Sequence, residues 1–179
     1  MGEDITPTLI SRYETQIGNT QDKLNVICLN DQGGSQMSVS EDKTATLRSE
    51  EHGHQPCVAK CAVVRRLTPM ECERLQGFPD GWTDIGEWTD TKGKLHKESS
   101  DSARYKALGN SIALPFWDWM LGRISAQYDR PATLGSLFDG IGGFPLCWEH
   151  HNGKGSAIWA SEIEEFPIAV TKKHFKEET

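Results

Sequence analysis

No stretch of this 179-residue sequence approaches the ~20 consecutive apolar residues that a membrane-spanning helix requires. Its longest uncharged apolar runs are Ile112 to Trp117 and Ile141 to Trp148. Nothing at the start of the chain reads as a signal peptide, and the Met1-Gly2 to Thr6 acylation pattern has no polybasic second anchor behind it. A cytoplasmic setting is expected. A basic excess is missing too, since 19 Lys+Arg stand against 26 Asp+Glu for a net charge of −7. Broad affinity for nucleic acid comes from many Lys or Arg contacts to phosphate, so any such role must fall to local clusters. A regular cysteine framework is also absent. Cys28, Cys57, Cys61, Cys72 and Cys147 are odd in number and scattered, which favours reduced thiols over disulfides.

What is present divides the chain into three. Acidic residues outnumber basic ones over 1–62 and 127–179 and balance them over 63–126. Residues 1–62 are polar, with Gly33-Gly34 and the acidic stretches Ser40-Glu41-Asp42 and Glu50-Glu51. Only Val26-Ile27-Cys28-Leu29 looks like a short strand, so this part reads as loop-rich; a second apolar run, Cys57 to Val64, leads into Arg65-Arg66-Leu67.

Over 63–127 the local signals sharpen. Thr68-Pro69-Met70-Glu71 sets a hydroxyl at N-cap, Pro at N1 and Glu at N3, a capping box that predicts a helix over Pro69 to Gln76. Gly77 suits the left-handed position after it, and Phe78-Pro79-Asp80-Gly81-Trp82 continues as a turn. Residues 83–101 read as an exposed polar insertion. Gly109-Asn110-Ser111 precedes a predicted core helix from about Ile112 to Gln127, with Ile112, Phe116, Trp117, Met120, Leu121 and Ile124 on its apolar face.

Over 128–179, Asp129-Arg130-Pro131 breaks that helix, and the pattern predicts a strand at Thr133 to Phe138, a helix at Phe144 to His150, a strand at Ala157 to Ser161 and a helix at Glu164 to Phe175. This is the beginning of a β-α-β unit, so the fold class is α/β. The first strand runs into Asp139-Gly140-Ile141-Gly142-Gly143, where glycines let backbone approach a ligand at the strand's carboxyl end. Glu162 follows Gly142 by twenty residues, the place where a carboxylate accepts hydrogen bonds from ribose hydroxyls. Pro145 replaces the third glycine of the dinucleotide fingerprint, which points to an adenosine cofactor without phosphates rather than a pyrophosphate. A glycine turn beside an ordinary surface glutamate accounts for the same pattern equally well.

Four blocks together resemble one family. Leu137-Phe138-Asp139-Gly140-Ile141-Gly142-Gly143-Phe144 and Ala160-Ser161-Glu162 are similar to the S-adenosylmethionine-binding motifs of the DNA cytosine-5 methyltransferases. Arg66-Leu67-Thr68-Pro69-x-Glu71-x-x-Arg74-Leu75-Gln76-Gly77-Phe78-Pro79 resembles that family's penultimate motif, and Tyr105-Lys106-x-x-Gly109-Asn110-Ser111 its last. The resemblance implies a Rossmann-like methyltransferase fold that is partial here, S-adenosyl-L-methionine as cofactor and double-stranded DNA as partner. It implies further that Phe138 packs on adenine, that Gly140 and Gly142 admit the methionine portion, that Glu162 binds the ribose, and that Asp139, Gly143 and Ile163 belong to the same cofactor site. Asn110 and Ser111 would close the site from the other side. Arg66, Thr68, Glu71 and Arg74 would brace a recognition domain, of which 1–62 would be a remnant, although helix capping and an Arg–Glu pair explain the same residues.

The family attacks a flipped cytosine with the thiolate of a Pro-Cys-Gln motif, helped by Glu-Asn-Val and Gln-x-Arg-x-Arg motifs. None of the three occurs here, and Pro56-Cys57 continues with Val58. No catalytic residue is therefore assigned. The order is also inverted, because Gly-Asn-Ser precedes the glycine loop, as in a circular permutation joined by the short link Tyr128 to Ala132. The missing motifs would lie after Thr179 or on a second polypeptide. The chain is thus expected to be part of a cytosine-5 methyltransferase, or else a noncatalytic DNA-binding or tethering subunit that keeps its fold. No metal site is expected, since the spacing of His52, His54, Cys57 and Cys61 fits none of the usual zinc patterns. Lys172-Lys173-His174 reads as a solvated helix end, and Trp117 and Trp119 read as packing residues.

Overall fold

The computed structural model describes residues 27–30, 38–41, 43–44, 56–60 and 63–175. Strands β1 (Ile27–Asn30), β2 (Ser38–Glu41), β3 (Cys57–Lys60) and β4 (Val63–Arg66) form an antiparallel sheet in the order β2-β1-β3-β4. The described residues of 1–62 thus contribute three strands where the sequence predicts mostly loops. These strands are four residues long, and β2 is a polar Ser-Val-Ser-Glu, so alternation has no length in which to show. The β3–β4 hairpin also straddles residue 62, pairing Cys57 with Arg66.

Helix α1 (Pro69–Gln76) forms as its cap predicts. The Thr68 hydroxyl accepts from the Glu71 amide, and the Glu71 carboxylate accepts from the Thr68 amide at 2.8 Å. Gly77 ends the helix at φ +85°, and a Cβ there would meet Pro115 Cδ at 2.8 Å. The turn that follows is not an outward excursion. Phe78, Trp82 and Ile85 enter the core, Thr83 is buried, and only then does a short hairpin form from β5 (Trp88–Thr89) and β6 (Leu95–His96).

Helix α2 (Asp101–Gly109), capped by the Ser100 hydroxyl, occupies a stretch that the sequence reading left unassigned. Helix α3 (Leu114–Ser125) starts later than expected because Pro115 sets its first turn. Beyond it come β7 (Leu134–Leu137), α4 (Gly143–Asn152), β8 (Ala157–Ser161) and α5 (Glu165–His174), with β7 and β8 parallel. One hydrophobic cluster joins these parts, running from Leu67 and Phe78 through Leu108, Leu114, Leu121 and Ile141 to Phe166 and Val170. The fold is mixed α/β. Among the described residues no helix is long and apolar enough to cross a membrane.

Candidate cofactor-binding site

At the carboxyl end of β7 the backbone turns left-handed three times, at Phe138 (φ +54°), Gly140 (φ +60°) and Gly142 (φ +83°). Phe138 is the one non-glycine residue in that region among those described, and the residue is 82% exposed. The two left-handed glycines have different surroundings. A Cβ on Gly140 would meet nothing within 4 Å, whereas one on Gly142 would lie 2.5 Å from the Phe175 ring. Gly140 therefore leaves open space, and Gly142 lets the end of α5 pack on the loop.

Two carboxylates meet at this loop. Glu162, just past β8, accepts from the Gly140 amide on Oε2 at 2.7 Å and from the Ile163 and Glu164 amides on Oε1 at 2.6 and 3.0 Å. Partial burial pushes its pKa up, but the three N–H donors outweigh this and hold it below the ordinary glutamate value. Asp139 is buried. The Ser136 hydroxyl donates to its Oδ1, and its Oδ2 has no hydrogen-bond partner. Burial raises its pKa, the Ser136 bond opposes the rise, and the nearby Glu162 charge adds to it.

The Gly-Asn-Ser turn reaches the loop through its neighbours. Asn110 is exposed and Ser111 half-buried, while Ile112 and Leu114 press on Gly143 so closely that a Cβ there would lie 3.0 and 3.1 Å from them. Lys106 pairs with Glu164 at 3.0 Å. Ile163, 83% exposed, and Glu164 also wall a cleft of about 460 Å³ shared with Trp88, His96 and Lys106.

Trp82 and His174, which sequence reasoning did not assign to the site, hold the loop from behind. The Trp82 indole N–H donates to the Ile141 carbonyl at 2.8 Å, and the His174 ring stacks on that indole with centroids 3.6 Å apart. His174 Nε2 also lies 2.8 Å from the Trp82 carbonyl oxygen, and Lys173 Nζ donates to the Ile85 carbonyl at 3.0 Å. The Lys173-His174 end of α5 is thus a clamp rather than a solvated terminus. Trp117 packs on Phe144, as expected, whereas Trp119 is exposed with Arg123 over its ring.

In the brace block the Arg–Glu pair uses a different arginine from the one expected. Arg65 Nη1 and Nη2 each reach a Glu71 carboxylate oxygen at 2.7 Å, in place of the Arg74 that helical spacing pairs with it; Arg65 and Arg66 are both exposed. Successive strand residues face opposite ways, so only one of two adjacent arginines can meet the helix cap. Arg74 forks onto Asp80 at 2.9 and 2.7 Å. Deeper in, Glu73 accepts from the Gly81 and Thr83 amides, from the Thr83 hydroxyl and from Arg104.

Two of the cysteines are plainly structural. Cys72 and Cys147 are buried, and desolvation pushes their thiols up to about 12 and about 11, so neither is a thiolate at neutral pH. Cys57 sits on β3, and His52, His54 and Cys61, the possible ligands near it in sequence, lie outside the described residues.

A family model described as C-5 cytosine-specific DNA methylase matches residues 11–126. The glycine loop lies beyond that span. The chain is 42% identical over 87 aligned residues to a protein of Escherichia phage P1 named DNA N-6-adenine-methyltransferase, with 37% of this chain and 11% of that protein covered. It is 33% identical over 94 residues to Type II methyltransferase M.BanI of Aneurinibacillus aneurinilyticus, covering 52% of this chain and 19% of the other. Against Type II methyltransferase M.HgiCI of Herpetosiphon aurantiacus it is 40% identical over 52 residues, covering 29% and 9%. The chain thus spans a fifth or less of the length of these relatives.

Proposed function

The chain belongs to the C-5 cytosine-specific DNA methylase family, and from that premise we propose that it is the cofactor-holding part of a DNA cytosine-5 methyltransferase with permuted motif order. Its cofactor is S-adenosyl-L-methionine and its substrate double-stranded DNA. The observation that carries this reading is the loop between the parallel strands, where an open Gly140, an exposed Phe138 ring, Glu162 and the unpartnered Asp139 Oδ2 share one strand end.

These residues fit the cofactor's chemistry. A carboxylate offers about four lone-pair sites, so the three amides on Glu162 leave capacity for a ribose hydroxyl. Asp139 Oδ2, buried and without a donor, would take an N–H of the methionine ammonium, and Phe138 would stack on the adenine. Gly142 and Gly143 keep the loop against Phe175 and Ile112, and Asn110 and Ser111 immediately precede that isoleucine in the chain. When bound, S-adenosylmethionine supplies an electrophilic methyl group. The contacts of Lys106 with Glu164 and of Ile112 with Gly143 support the permuted arrangement, since they bring the last family motif against the first.

The nucleophile must come from elsewhere. Cys72 and Cys147 are buried and protonated, and no Pro-Cys-Gln motif is present, so a second polypeptide or further sequence is needed to attack C6 of cytosine. Transfer of radiolabelled methyl from S-adenosylmethionine to unmodified DNA tests this. The 179-residue chain alone should give background incorporation. Adding a polypeptide that carries the Pro-Cys-Gln to Gln-x-Arg-x-Arg portion should restore transfer. Incorporation by the chain alone, or none with the partner present, overturns the reading.

A further inference from the structure

Where α3 packs along α4, two imidazoles converge on one carboxylate oxygen. Asp118 Oδ1 lies 2.8 Å from His150 Nδ1 and 3.1 Å from His151 Nε2, which also sits 2.9 Å from the Asp118 carbonyl oxygen, a contact that a metal would replace; the three ligand atoms all fall within 4.8 Å of one another. We propose that Asp118, His150 and His151 bind a divalent transition ion of the zinc class, which clips the two helices together.

The spacing suits such an ion. Bonds of ~2.0–2.1 Å in a tetrahedral site put neighbouring donor atoms about 3.3 Å apart, so the two carboxylate-to-imidazole gaps would open slightly and the two imidazole nitrogens, within 4.8 Å of each other, would rotate onto the same ion. Mixed imidazole and carboxylate donors select zinc, nickel, cobalt or copper over magnesium and calcium, which prefer shells built of oxygen. Three protein ligands leave one position for water, in keeping with the exposed His150 ring on the outer side.

A second feature fixes one of the donors in place. The His151 ring presses against Gly122 of α3, where a Cβ would stand 2.7 Å from Cε1 and 3.0 Å from Nε2. Glycine is disfavoured inside helices. Its presence in α3 lets the ring close onto Asp118, and any larger residue would push it off. The neighbouring bond from Ser125 Oγ to Asn152 Oδ1, at 2.7 Å, fixes the same two helices one turn further on. The site is separate from the glycine loop, because it sits at the opposite end of α4.

The test uses the full chain, freed of metal with chelator and titrated with Co²⁺ and then Zn²⁺. One equivalent should bind with a micromolar Kd, and Zn²⁺ should raise the melting temperature. Asp118→Asn and His150→Gln should each weaken binding at least tenfold and abolish the thermal shift. His150 is exposed, so its variant should melt like the wild type in chelator, which separates lost ligation from lost folding. Imidazole ligates only when neutral, so affinity should also fall on acidification. Because His52, His54, Cys57 and Cys61 could take up metal, a His52→Gln/Cys61→Ser control should titrate like the wild type, and the cobalt complex should show no thiolate charge-transfer band. No saturable binding, binding unchanged by Asp118→Asn, or a thiolate band in the cobalt spectrum would each overturn the site and leave a hydrogen-bonded His–Asp cluster.

Discussion

Glu162 ties the end of β8 to the loop after β7, because its Oε2 accepts the Gly140 amide 2.7 Å away. That bond does two things at once. It holds Gly140 at φ +60°, with open space where a Cβ would be, and it keeps the carboxylate ionised by joining the Ile163 and Glu164 amides around it. The group that shapes the loop is therefore the one that the proposed function assigns to the ribose.

Replacing Glu162 should cost cofactor affinity directly. Glu162→Ala is expected to weaken S-adenosylmethionine binding by about 1.5–3 kcal/mol, roughly 10- to 150-fold, the scale of a lost hydrogen bond to a charged group. Glu162→Gln keeps an acceptor oxygen and should fall between. Calorimetry decides it, and equal affinities for all three proteins would remove Glu162 from the site.

Gly140 and Gly142 should separate binding from folding. Gly140→Ala meets only the left-handed backbone penalty, about 1–2 kcal/mol, and should lose cofactor affinity by more than it loses stability. Gly142→Ala adds a clash with Phe175 and should lower the urea midpoint further. The reverse ranking of the two in denaturation would mean that the end of α5 does not rest on the loop.

Asp139 and Glu162 should respond to pH in opposite senses. The pKa of Glu162 is lowered by folding, so its contribution is present above the unfolded value of about 4.3 and lost as pH falls through the folded one. Asp139 is raised, so the folded chain loses stability as pH climbs from the unfolded value towards the folded one. A ligand ammonium needs Asp139 ionised, and cofactor affinity should therefore tighten as pH rises through that window. Asp139→Asn should flatten the tightening. An identical pH profile for wild type and variant would show that Asp139 Oδ2 does not meet the ligand.

How much of this was written plainly in the sequence depends on the range of the interaction. The Thr68 cap, the Gly77 stop, β8 and the glycine loop are local, set by a few adjacent residues, and they appear where the sequence places them. Features fixed by distant partners did not show. Arg65 rather than Arg74 meets Glu71, because β4 brings Arg65 over the helix cap while Arg74 forks onto Asp80. Trp82 grips Ile141 across 59 positions, and Asp118 meets His150 across 32, separations at which spacing rules say nothing. Helix α2 went unread because it is a short stretch with its buried side, Arg104, Ala107 and Leu108, interrupted by a charge.

That charge carries the last prediction. Glu73 is fully buried at 0% exposure, and Arg104 reaches it through Nη2 at 3.2 Å while its Nε donates to Thr83 Oγ1 at 2.9 Å. Removing one partner of such a pair strands the other charge away from water, which costs about 3–5 kcal/mol. Arg104→Ala should fall in that range by urea denaturation. Arg104→Lys keeps the charge but not the fork, so it should recover only part of the loss. Glu73→Ala should be worse than Arg104→Ala, because it also orphans the Gly81 and Thr83 amides that hold the turn. That turn presents Trp82 to the Ile141 carbonyl, so Arg104→Lys, if it folds, should also weaken S-adenosylmethionine binding although it lies outside the loop. Thr68→Ala makes the control: it removes a helix cap worth about 1 kcal/mol and should leave affinity unchanged. If Arg104→Ala shifts stability by less than the Thr68→Ala control, the buried pair is not what fixes the turn, and the link from α2 through Trp82 to the cofactor loop is broken.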